Sequence, residues 1–106
     1  MHEELLHSLG LVARVDITTE DNRYVLQGIV LYDEVLEGME FGFVLYEYYE
    51  GHYTEIDEAT PLGYSFKKDR KDALQVCVKS LENWFETTLE RVDFTTEVKM
   101  CEEGLL

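Results

Sequence analysis

From Leu11 the chain alternates with a period of two: Leu11, Ala13, Val15 and Ile17 on one parity, Val12, Arg14, Asp16 and Thr18 on the other. That is the pattern of a strand buried on one face. Glu20-Asp21-Asn22-Arg23 supplies turn chemistry, and in Tyr24 to Tyr32 both parities are largely apolar, as in a strand covered on two sides. The two segments read as a hairpin. A connection from Asp33 to Met39 leads into Phe41 to Tyr49, the strongest strand signal in the chain, with Phe41, Phe43 and Leu45 on one parity and Val44, Tyr46 and Tyr48 on the other. Glu50-Gly51 reads as a turn into a shorter strand, His52 to Asp57, and Pro61 and Gly63 punctuate a loop after it.

The period then changes. Asp69 is placed to cap a helix, with Asp72 at the capping-box position. Leu74, Cys77, Val78, Leu81, Trp84, Phe85 and Leu89 recur at helical spacing, an apolar stripe about six turns long. Val92, Phe94, Thr96, Val98 and Met100 then alternate with Asp93, Thr95, Glu97 and Lys99, which predicts a last strand. Ahead of everything, residues 2–9 put Leu5, Leu6 and Leu9 on one side with Gly10 as a C-cap, which predicts a short helix. The sum is an α+β fold, one domain over 1–106: an antiparallel sheet of about five strands, a long helix from the C-terminal half on one face, and a short N-terminal helix. The other face should carry Val44, Tyr46 and Tyr48, shielded by the N-terminal helix, a loop or a partner. Uncovered, it would be an aromatic patch rimmed with acids.

Charge sharpens this picture. The 106 residues hold 23 acids against nine bases, a net charge of −14, which repels phosphate backbones and anionic lipid and favours encounter with basic surfaces. Direct nucleic-acid binding and membrane association are disfavoured. The longest clean apolar run, Ile29-Val30-Leu31-Tyr32, is far short of the ~20 residues of a membrane helix, and Met-His-Glu-Glu at the start is unlike a signal peptide. The expected location is the cytoplasm, or the host cytoplasm for a viral protein. Cys77 and Cys101 lack CxxC spacing and are expected to be reduced, Cys77 packed on the apolar side of the helix and Cys101 near the tail.

No catalytic motif is present. Gly63-Tyr64-Ser65 continues as Phe66-Lys67, which breaks GxSxG, and P-loop, dinucleotide and HExxH patterns are absent. His2, His7 and His52 are scattered, and Asp16, Glu20 and Asp21 do not match a calcium loop. The expectation is a protein that is not an enzyme and carries no cofactor or metal. The informative stretch is Tyr24 to Phe66, which holds all seven tyrosines, nine carboxylates and no lysine or arginine. Glu55 and Asp57, two apart on a strand, are expected ~6.7 Å apart on one face. Glu82, Glu86 and Glu90 are expected to line one side of the helix, ~6 Å apart. Such rows engage Arg and Lys side chains, and tyrosine adds rigid contact area. Conversely, Lys67, Lys68, Arg70 and Lys71 gather four bases at the helix start, a basic spot beside an acidic wall, against the sense of the helix dipole.

These features make the first functional expectation an acidic inhibitor or regulator, a nucleic-acid mimic in effect, that occludes a basic, nucleic-acid-binding surface such as that of a nuclease. The partner-binding residues are expected to be Glu47, Tyr48, Tyr49, Glu50, Tyr53, Glu55 and Asp57. In general character this resembles phage-encoded blockers of host nucleases, including anti-CRISPR proteins, and bacterial immunity proteins for nuclease toxins. The resemblance is one of class, without a shared motif. The alternative is an accessory or assembly subunit that forms a homodimer or docks through the tyrosine-rich sheet face, the acids serving solubility.

Overall fold

The structure, a computed structural model, describes residues 9–101. Five strands and one helix follow in the order β1 (Leu9–Thr19), β2 (Tyr24–Asp33), β3 (Gly38–Tyr49), β4 (His52–Ser65), α1 (Arg70–Thr88) and β5 (Phe94–Met100). The strands form one sheet in the order β4-β3-β2-β1-β5, every pairing antiparallel. Strands β1 to β4 are a meander, and α1 carries the chain across one sheet face to the far edge, where β5 joins β1.

Local chemistry sets the turns. Between β1 and β2 the Thr19 hydroxyl donates to Asp21 Oδ1 at 2.7 Å, the Arg23 amide donates to the same oxygen at 3.0 Å, and Asn22 takes φ of 61°. The hydroxyl, then the amide, hold the Asp21 carboxyl below its usual range. Between β3 and β4 the two turn residues, Glu50 and Gly51, both have positive φ (49° and 91°). This is the two-residue hairpin turn whose twist matches the strands, and glycine takes the second position without a side-chain clash. Asp69 caps α1 by accepting from the Lys71 and Asp72 amides.

The helix buries Ala73, Cys77, Leu81 and Phe85, four apart along one stripe, with Leu74, Val78, Trp84 and Leu89 half-buried on its flanks. They lie on Ala13, Val15, Ile17, Leu26, Val30, Phe41, Phe43 and Leu45 of the sheet. Each fully buried Leu or Phe there contributes roughly 1.5–3 kcal/mol. Gly28 leaves room for Leu81, since a Cβ at that position would stand 2.9 Å from Leu81 Cδ1. Trp84 leans on Phe43 with ring centroids 4.0 Å apart, and Phe85 meets Phe94 edge-on at 5.5 Å.

Burial pushes the Cys77 thiol up to about 12, from an ordinary value of 9.0. The fold therefore favours the neutral thiol: its contribution is complete below pH 9 and is lost as the unfolded thiol ionises between pH 9 and 12. Cys77 is expected to resist alkylation at pH 8 in the native state while the half-buried Cys101 reacts, and to become reactive in denaturant. Equal labelling rates in the native protein would contradict this packing.

The structure differs from the sequence pattern at four places. A bulge between Leu11 and Ala13 makes Val12 an extra residue. Val12 joins Ala13 in the core, and Leu11, paired with Leu31, moves to the face away from α1. Strand β4 does not end at Asp57. It runs on to Ser65 through a cis Thr60–Pro61 peptide and a second register shift opposite Gly42, because an edge strand accommodates a residue without an N–H. Gly42 is required there, as a Cβ would meet Ala59 O at 2.5 Å. The carboxylate row on the helix does not form: Glu82 accepts the Thr96 hydroxyl at 2.6 Å, and Glu90 lies beyond the helix end with φ of 57°. Glu55 and Asp57 do not share a face, because Ile56 is an extra residue between them. The short helix expected over 2–9 lies outside the described residues, except that Leu9 opens β1. No helix among the described residues is long and apolar enough to cross a membrane.

Candidate functional site

Strand register places the tyrosines. Phe41, Phe43 and Leu45 face α1, so Val44, Tyr46 and Tyr48 face away. Their neighbours on β4 are Glu58 beside Val44, Glu55 beside Tyr46 and Tyr53 beside Tyr48. On β2, Val25 stands beside Tyr46 and Gln27 beside Val44. Tyr48 and Tyr53 meet edge-to-face with centroids 5.0 Å apart, the arrangement favoured by opposed ring quadrupoles. Their fractional exposures, 44% and 51%, leave much of each ring to solvent. Among the described residues no helix or loop packs over this end of the sheet. Val25, Gln27, Tyr46 and Tyr53 line a shallow depression of about 330 Å³.

Acids flank this patch on both sides. Glu55 and Glu58 stand on the outer strand β4, while across the sheet Asp16 on β1 neighbours Gln27 and Glu97 on β5 neighbours Asp16. The sheet is five strands wide, so roughly 19 Å separates the two acidic margins at the spacing of paired strands. A second depression of about 410 Å³ on the same face lies toward β5, lined by Leu11, Ile29 and Leu31 with Arg14, Asp16 and Lys99 at its margin.

The seven expected partner-binding residues fall together at the β3–β4 hairpin but divide between its faces. Tyr48, Tyr53 and Glu55 lie on the open face, Glu50 sits in the turn, and Glu47, Tyr49 and Asp57 belong to the parity that faces α1. The division of Glu55 from Asp57 comes from a bulge: Tyr46 pairs with Glu55 and Leu45 with Asp57, leaving Ile56 as the extra residue. One inserted residue reverses the side on which everything beyond it projects. Glu58 therefore takes the place on the open face expected of Asp57. Asp57 instead turns its Oδ1 to the Glu58 amide at 2.8 Å.

Glu47 is engaged within the chain. Arg23 Nε and Nη2 donate to Glu47 Oε2 at 3.1 and 2.9 Å, and the Tyr24 hydroxyl donates to the same oxygen at 3.2 Å. The hydrogen bond to Glu47 raises Arg23, and burial, then Glu47, raises the Tyr24 hydroxyl. Glu50, Glu55, Asp57 and Glu58 have no cation within ion-pair distance among the described residues. Val25, Gln27, Glu58, Asp16 and Glu97 complete the face, and finding them requires strand order and register.

The four bases at the start of α1 are remote from the hairpin. They lie by the opposite end of β3, where Lys67, Lys68 and Arg70 line a depression of about 410 Å³ with Tyr32, Met39 and Phe66, and the Arg70 guanidinium lies 4.2 Å over the Tyr32 ring. The basic spot is thus separated from the tyrosine patch by the length of β3, in a molecule 42 Å in its longest dimension. Among the described residues no three His, Cys, Asp or Glu side chains converge as metal ligands. Set beside protein-family models, curated proteins and solved structures, the chain matches none of them.

Proposed function

We propose that this protein is a non-enzymatic acidic binder that occludes a basic, nucleic-acid-binding surface of another protein, in the general manner of anti-CRISPR and nuclease-immunity proteins. The supporting observation is the open sheet face: a tyrosine patch, Tyr46, Tyr48 and Tyr53, with carboxylates on both margins and no described element over it. Arginines and lysines that grip phosphates find carboxylates at the margins, and the aromatic centre supplies the desolvated contact area in which binding energy concentrates. The net charge of −14 steers a basic partner and repels nucleic acid.

The test is a pull-down from a lysate of the source, or of its host, at low and high salt, with partners identified by mass. The expected result is a nucleic-acid-binding protein that is recovered at low salt, reduced at high salt, displaced by added DNA or RNA, and lost with the combined variant Glu50→Lys, Glu55→Lys, Glu58→Lys. A partner that survives high salt, ignores the charge reversal and binds no nucleic acid would overturn the reading. That outcome would favour docking through the tyrosine-rich face itself and the apolar depression beside it, which Leu11, Ile29 and Leu31 line.

A further inference from the structure

The two edges of the sheet are treated differently by the sequence. The β4 edge is obstructed: it carries two register shifts, Pro61 without an N–H, three carboxylates, and Asp57 Oδ1 on the Glu58 amide. All are devices that discourage a further strand. The β5 edge has no register shift, no proline and no side chain on a backbone amide among the described residues, and its charges are one of each sign, Glu97 and Lys99. Its register with β1 is continuous from Ala13–Met100 to Thr19–Phe94, without proline, glycine or bulge.

Backbone direction on β5 follows from the two bonds that extend this ladder. Glu20 N–H donates to Asp93 O and Cys101 N–H to Val12 O, both at 3.0 Å, and hydrogen-bonded pairs alternate along an antiparallel ladder. Thr95, Glu97 and Lys99 therefore bond to β1, while Thr96, Val98 and Met100 turn their N–H and C=O groups to the open edge. On the face away from α1, β5 also stands in an unfavourable charge arrangement: Glu97 lies beside Asp16 and Lys99 beside Arg14. Like charges directly opposite each other destabilise a strand pair. Within the chain the only ion pair available to this edge among the described residues is Lys99 with Glu97 at 3.3 Å, both well exposed.

We infer that the protein self-associates through β5, the open edges of two copies pairing antiparallel about a two-fold axis at Val98 to give one continuous sheet. With Val98 against the partner's Val98, Thr96 faces the partner's Met100, and these outward groups exchange their backbone hydrogen bonds. Glu97 and Lys99 then occupy the closely spaced pairs in which side chains approach most nearly. Glu97 meets the partner's Lys99, and Lys99 meets the partner's Glu97. Across the junction the charges read Asp16, Glu97, then the partner's Lys99 and the partner's Arg14, so each like-charged pair acquires an opposite pair beside it. Moving the axis by one residue, to Glu97, would set Glu97 against the partner's Glu97, so charge selects the register centred on Val98. The axis is perpendicular to the sheet, so the tyrosine faces of both copies remain on one side.

Sedimentation equilibrium from about 1 μM to about 1 mM protein, at about 0.15 M salt to screen the repulsion of two acidic bodies, tests this. The native protein is expected to dimerise. Glu97→Lys and Lys99→Glu each turn both cross-strand ion pairs into like-charge pairs, and each is expected to weaken self-association by roughly tenfold to a hundredfold. An equimolar mixture of the two variants restores every opposite pair and is expected to form a heterodimer at least as readily as the native protein dimerises. Val98→Pro removes an outward N–H that makes no bond among the described residues and is expected to give a folded monomer by circular dichroism. A native protein that stays monomeric throughout, a dimer indifferent to the charge reversals, or a mixture that fails to associate would each overturn the inference.

Discussion

Replacing Phe85 with alanine is expected to lower the free energy of unfolding by about 3–5 kcal/mol, the largest stability loss of any single core substitution at the helix. Phe85 is fully buried at the C-terminal end of the α1 stripe and meets Phe94 at an interplanar angle of 78°. Its removal forfeits transfer free energy, the ring pair and the packing that joins α1 to β5, and it leaves a cavity that a sheet on one side and a helix on the other cannot close. Against a total stability of about 5–15 kcal/mol for a domain of this size, the protein would melt roughly 15–25 °C lower. Val35→Ala, at an 84% exposed turn position, is the matched control and should change stability by less than about 0.5 kcal/mol. Thermal or urea unfolding of the two variants decides the matter. A Phe85→Ala loss no larger than that of the control would mean that α1 does not pack on the sheet as described.

The reason Phe85 could be singled out is that helical spacing survives translation from sequence to structure almost unchanged. Cys77, Leu81 and Phe85 are four apart and the stripe they define has one solution, a face against the sheet. Strands are less forgiving because their period is two, and one extra residue exchanges the faces. Both bulges that move residues across the sheet have the same mark in the sequence. Val12 is an apolar residue on a polar parity, and Ile56 is an apolar residue between Glu55 and Asp57. An alternation interrupted by one surplus apolar residue is therefore a bulge signal, although it is also what a strand covered on both faces looks like. The extent of β4 was hidden for a different reason. Pro61 and Gly63 carry the chemistry of a loop, and only the position of β4 at the sheet edge, which depends on strand order, lets the strand continue through them.

The candidate site was legible as a stretch and not as a surface. That the tyrosines and acids of the β3–β4 hairpin gather follows from the Glu50-Gly51 turn, which is written in local sequence. Which of them share a face depends on the Ile56 bulge. Which carboxylates lack a cation depends on Arg23, a base 24 positions from Glu47 that reaches it because β2 and β3 pair with Tyr24 opposite Glu47. The acidic margin on the far side, Asp16 and Glu97, exists only once β5 has returned beside β1. Long-range pairing of this kind has no local signature, and it is what turns a run of acidic and aromatic residues into a bounded patch.

The bounded patch makes a kinetic prediction about complexes of the proposed kind. Tyr48→Ala and Tyr53→Ala, singly, are expected to weaken binding to the recovered partner by about 2 kcal/mol or more each, close to thirtyfold, and mainly by faster dissociation. Each ring supplies contact area that is already held in place by the other at 5.0 Å, so little side-chain freedom remains to be lost on binding. Because the rings support one another, the double variant is expected to lose less than the sum of the two. The margin carboxylates act differently. Reversing Glu50, Glu55 and Glu58 together removes attraction that operates before contact, so association slows by roughly tenfold or more and its dependence on salt flattens, while dissociation changes less. Surface plasmon resonance of both sets against the same partner at two salt concentrations separates the effects. Tyrosine variants that leave the dissociation rate unchanged would remove this face from the interface, whatever the charge variants do, because the acids lie on more than one side of the molecule and the paired rings lie on one.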